Sequence, residues 1–126
     1  RDLMLGIRAF GASRAFLYDR VIQEKLVKDH IGQEPVLIVV GSDNQSVRAF
    51  RDRIPGTGGT PEFYRLTENK PGRLLMDAAT GSEWNFQGCA VSGELQGVCL
   101  EPVAMLKDYW FDWRNYNPKT TVWGKK

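Results

Sequence analysis

The sequence predicts a mainly β (α+β) fold, a small antiparallel β-barrel or roll of short strands closed by a C-terminal helix, in one domain spanning residues 1–126. Three observations carry this reading. Short runs of alternating apolar and polar residues recur between clusters of Gly, Pro, Asn, Asp and Ser, which is the pattern of strands joined by turns. The run PVLIVV at 35–40 is apolar throughout, as a strand covered on both faces must be. Only at 106–116 does the period lengthen to that of a helix, with Leu106, Trp110 and Trp113 on one stripe.

Taken in order, the runs 3–10 and 13–21 flank Gly11-Ala12 and read as a hairpin. The stretch 23–32 is ambiguous: Leu26 and Val27 suit a strand, while Glu24, Lys25 and Lys28 suit a helical turn. The central run 35–40 is followed by the turn GSDNQS, with Asp43-Asn44 at its tip, and then by a partner strand at 47–53. Residues 54–61, IPGTGGTP, form a loop, because three glycines and two prolines leave nothing to pair. Short strands follow in EFYRLTE, GRLLMDA, GSEWNFQGCAV and GVCLEPVAM. The helix at 106–116 stops at Asn117-Pro118. Trp84 and Trp113 are expected in the core, since large aromatic side chains dominate core energetics.

Composition narrows the function. A net charge of +2, with no Lys/Arg cluster longer than Lys125-Lys126, gives no electrostatic footprint for nucleic acid. The longest apolar run is too short to span a bilayer as a helix. The chain opens at Arg1 without an initiator Met, which predicts a trimmed or processed part of a longer protein.

The residues able to do chemistry are few. Cys89 and Cys99 lie too far apart in sequence for a tight metal-binding pair, and His30 is the sole histidine, so no metal site or cofactor is expected. If the chain reverses about Glu94, the two cysteines fall opposite one another; they are then either bridged or simply two buried thiols. His30 beside Asp29 suggests a general base, but neighbours on a strand face opposite ways, and no Gly-x-Ser-x-Gly nucleophile accompanies them. The aspartates, Asp52 and Asp77 among them, are scattered and read as a solvated face. GTGG at 56–59 lacks the Lys-Ser/Thr ending of a phosphate loop. Five aromatics in YWFDWRNY offer a binding surface through Tyr109, Trp110, Trp113 and Tyr116 if exposed, although the spacing of Trp110 and Trp113 favours the core.

The stretch DAATGSEWNFQGCAVSGELQGVCLEPV resembles the pattern of the prokaryotic family known as domain of unknown function 3179. Thr80-Gly81-Ser82-x-Trp84 and Gly93-x-Leu95-x-Gly97 are its most specific elements. GASRAFLYDRV, LVKDHIGQEPVLIVV, AFRDR and YWFDWRNYNPKTTVW are similar to further family segments in the same order, with Phe16-Leu17 in place of a Tyr-Pro pair. Many members carry Cys-Pro-x-Cys just after the central strand. Here Val40-Gly41-Ser42-Asp43-Asn44 stands at that place, without a cysteine. The resemblance implies a bacterial protein exported or held at the cell surface, and lends no activity. The resulting expectation is a non-catalytic extracytoplasmic binding or assembly module whose partner is another protein or domain. Two alternatives stand beside it: an enzyme or redox/metal-site protein using Asp29, His30 and the thiols, and a carbohydrate-binding domain using the aromatic helix.

Overall fold

The computed structural model describes residues 2–124. Its strands form three open four-stranded sheets. The first sheet contains β1 (Leu3–Ala9), β2 (Ala12–Leu17), β11 (Leu106–Tyr109) and β12 (Thr121–Trp123), in the order β11-β1-β2-β12. The central sheet, β10-β5-β4-β3, contains β3 (Leu26–Ile31), β4 (Glu34–Val40), β5 (Val47–Arg51) and β10 (Pro102–Val103). The third, β6-β7-β8-β9, contains β6 (Phe63–Lys70), β7 (Arg73–Asp77), β8 (Glu83–Trp84) and β9 (Ala90–Ser92). Strand pairing is antiparallel except for β12, which runs parallel to β2. Two short helices, α1 (Tyr18–Glu24) and α2 (Trp110–Tyr116), complete the described elements.

The mainly β, antiparallel expectation holds, but among the described residues no closed barrel is found, because each sheet keeps two edges. The run at 35–40 explains the arrangement. Val36, Ile38 and Val40 enter a core cluster with Leu5, Ile7 and Phe16 of the first sheet. Leu37 and Val39 enter another, with Phe63, Leu75 and Trp84 of the third. Alternate side chains of β4 thus serve two cores, and the strand has no polar face to offer. A third cluster of Met4, Ala15 and Trp113 seats α2 against the first sheet. Trp84 and Trp113 are both buried, at 0% and 5% exposure.

The Asp43-Asn44 hairpin is present: Val40 pairs with Val47, and Asn44 adopts φ 58° at the turn. The Ser46 hydroxyl, then the backbone N–H groups of Ser46 and Gln45, bond the Asp43 carboxylate and hold its pKa at about 2. Other expectations need correction. The first hairpin turns at Phe10-Gly11, one residue early, with φ 54° and 76°, the two positive values of a type I′ turn. The strand expected over 13–21 ends at Leu17. The helix α1 then carries the chain from the first sheet to the central one and closes at Lys25 in the left-handed conformation. The helix expected over 106–116 begins only at Trp110, because 106–109 pairs with the free edge of β1, from Leu3↔Tyr109 to Gly6↔Leu106. Four residues of ladder outweigh the local helical spacing, and Leu106 is left exposed instead of joining Trp113.

Candidate functional site

The helix α2 is locked in place by one side chain. Trp113 lies over Gly6, where any Cβ would run into the indole ring. Its Nε1 donates to Thr120 Oγ1 at 2.9 Å, and its carbonyl accepts from Asn117 Nδ2 at 3.1 Å. Rigidly held in this way, the segment presents apolar surface outward: Leu106, Phe111 and Tyr116 are 55%, 74% and 81% exposed. Leu106 and Tyr116 line an open groove of about 440 Å³ whose floor is Gly6 and Trp113 and whose rim includes Arg8. Of the four residues expected to form a binding surface, Tyr109 and Tyr116 are exposed, Trp110 is half-buried, and Trp113 belongs to the core. Phe111 takes the place of Trp113. Two residues before it on the helix, and so roughly 200° around the axis, it must point away from the sheet.

Asp29 and His30 do not act together. Asp29 faces the first sheet, where Oδ2 accepts from Arg14 Nε at 2.8 Å. His30 is exposed, and Asp29 meets only its backbone N–H, at 2.8 Å. The pairing His30↔Pro35, extended by the bond from Asp52 N–H to the Pro35 carbonyl, instead puts His30 in one row with Asp52. Asp52 is a group that sequence reasoning placed on a solvated face, and it is buried at 1% exposure. Its Oδ2 lies 3.8 Å from Lys28 Nζ, and its Oδ1 has no hydrogen-bond partner among the described residues. Burial pushes the Asp52 carboxyl above the usual carboxylate range, against the opposing pull of Lys28.

The thiols are bonded to each other, with Cys89 and Cys99 joined as a disulfide and Cα atoms 4.0 Å apart. They face one another across an antiparallel bridge, as the reversal about Glu94 requires. Glu94 is exposed at the tip, and Gly88, Gly93 and Gly97 all adopt positive φ.

The second aspartate to correct is Asp77, which is fully buried. Its carboxylate accepts from Thr80 N–H and Oγ1 at 2.8 Å and from Trp84 Nε1 at 2.9 Å. Burial pushes its pKa up, but the bonds from Trp84 and Thr80 outweigh that and hold it below the usual range. Ser82 Oγ lies 2.7 Å from Thr80 Oγ1 and accepts from Leu95 N–H at 3.0 Å. At Gly93, a Cβ would fall 2.7 Å from that same Ser82 oxygen. The residues Thr80, Ser82, Trp84, Gly93 and Leu95 therefore form a brace, buried at Ser82 and Trp84, between the β7–β8 turn and the 93–97 loop. With the Asp77 and Ser82 side chains buried and hydrogen-bonded, it binds the fold together. Among the described residues, no three of His, Cys, Asp and Glu are grouped to hold a metal ion.

A family model described as "Protein of unknown function (DUF3179)" matches residues 1–120. No curated protein and no solved structure matches the chain.

Proposed function

The chain belongs to the DUF3179 family, and from that premise we propose that it is a non-catalytic binding or assembly module whose contact surface is the outward side of the 106–116 segment. One observation carries this reading. Of the six large hydrophobic residues that stand exposed among the described residues, four (Leu106, Tyr109, Phe111 and Tyr116) come from these eleven positions. Apolar side chains concentrated on a rigidly anchored element mark a contact surface, whereas singly scattered ones do not. The partner is another protein or domain. A sugar-binding platform would expose flat tryptophan rings, and here Trp84 and Trp113 are buried while Trp110 and Trp123 are half-buried. An enzyme using thiols would need a free thiolate, and both sulfurs are held in the disulfide. That disulfide supports placing the protein in an extracytoplasmic, oxidising compartment. The central sheet's share in two cores supports treating residues 1–126 as one domain.

Photo-crosslinking in cells that make the protein tests the surface. A benzophenone side chain at position 111 or 116 is expected to give a discrete partner adduct, and one at the exposed control position 64 is not. Adducts that are the same from all three positions, or absent from 111 and 116, overturn the proposal.

A further inference from the structure

A second depression, sharing no lining residue with the aromatic surface, has a different chemical character. Between Arg65↔Leu75 and Lys70↔Arg73 the β6–β7 ladder slips, so that 66–69 bulge opposite Leu74. The bulge forms one wall of a groove of about 610 Å³, a size suited to a small-molecule ligand. Ser42 and Lys25 line it from one side and Asn85 from another.

Several hydrogen-bond donors converge on this lining. Arg65 is half-buried, and its Nη1 donates to the carbonyls of Val40 at 2.5 Å and Lys25 at 3.1 Å. It has no carboxylate partner, and its Nε and Nη2 donors meet no protein acceptor among the described residues. Burial without a counter-charge pulls its pKa down. Asn85 accepts from Cys89 N–H through Oδ1 at 2.9 Å, which leaves its Nδ2 donors available. Lys70 and Arg73 reach the same Glu83, at 3.0 and 2.7 Å. Four cations thus stand against two carboxylates, Glu83 and the Glu68 of the wall. A half-buried guanidinium with an open edge and no counter-ion recognises oxyanions through paired N–H bonds.

We infer that this groove is a binding site for a small multivalent oxyanion, seated on Arg65 with Lys25, Ser42 and Asn85 as the surrounding donors. The limited size of the groove and the low net charge of the whole chain favour a small molecule over a polyanionic strand.

Titration of the folded protein with inorganic phosphate and, separately, with citrate tests the site by calorimetry and amide NMR. Saturable binding is expected, with shifts at Ser42, Arg65 and Asn85. Binding of phosphate alone identifies a phosphoryl-type ligand and of citrate alone a carboxylate, and either supports the site. The Arg65→Gln variant is expected to weaken binding by roughly tenfold or more. Arg14→Gln, which removes the same charge from an arginine outside the groove, should leave it unchanged. If Arg65→Gln does not fold, Lys25→Gln replaces it in the comparison. Absence of saturable binding by both probes, or equal weakening by the groove variant and Arg14→Gln, overturns the inference and leaves the aromatic surface untouched.

Discussion

Asp52 shows how much of a residue's chemistry is decided by register rather than by neighbours in sequence. In the run Phe50-Arg51-Asp52-Arg53 it reads as one more surface charge; only the pairing of β3, β4 and β5 sets it across from Lys28 and His30 and buries it. The consequence is a pH dependence with a defined sign. Its folded pKa is raised above the ordinary 3.8. Between those two values the native state holds the extra proton, so this group's contribution to stability falls as pH rises through the window. Once ionised, the carboxylate relies on Lys28, whose side chain is 39% exposed. Lys28→Met should therefore cost about 1–2 kcal/mol at neutral pH, less than the loss of a fully buried partner. On the acid side, once Asp52 is protonated, the loss should shrink to what the Lys28 bond to the Pro61 carbonyl contributes. Urea unfolding of both proteins at the two pH values measures it, and an equal loss at both would show that charge is not the cause.

At the scale of elements, sequence and structure agree where one residue type enforces one geometry, and part where a distant strand decides. The Asp43-Asn44 turn, the doubly covered strand β4 and the facing cysteines were legible because turn chemistry, two-sided apolarity and symmetric spacing each admit few solutions. The strand β11 was not, since its ladder partner β1 lies a hundred positions or more away. The helix α1 was missed for a similar reason: only Val21 is fully buried, too weak a stripe to announce a helix. The candidate surface was half legible. The aromatic cluster was found, but dividing it into anchor and outward residues needed the seat at Gly6. The 93–97 loop provides a sharper test of geometry. Gly97 has φ 94° with open space about it, so Gly97→Ala should cost only the backbone strain, about 1 kcal/mol. Gly93 has φ 84° and Ser82 Cα within 2.8 Å of a built Cβ, so Gly93→Ala should cost about 3 kcal/mol or more. Ser82→Ala should not rescue it, because the obstructing atoms include backbone. Thermal melts of the three variants separate strain from collision; similar losses at both glycines would contradict the brace described here.

For the whole molecule, the disulfide and the stacking of sheets act at different sequence ranges. The Cys89–Cys99 bridge closes a loop of ten-residue separation at the margin of the third sheet. Replacing both cysteines by serine should cost about 2–3 kcal/mol and leave the crosslinking pattern from positions 111 and 116 unchanged. Lost crosslinks in a variant that still melts cooperatively would tie the sulfurs to function. The first sheet has the opposite character, because it joins the two ends of the chain: Arg14 pairs with Thr121 across 107 positions, and β11 closes on β1. On a ribosome adding 5–20 residues per second, the β1–β2 hairpin therefore emerges about 5–20 s before its last two partners are made. Throughout that interval both its edges are open, and Met4, Ala15 and Leu17 have neither Trp113 nor Val122 to cover them. Until those partners are made, the nascent chain thus carries an adhesive, strand-templating surface, and a holding chaperone that binds the β1–β2 hairpin would protect it until β11 and β12 are in place.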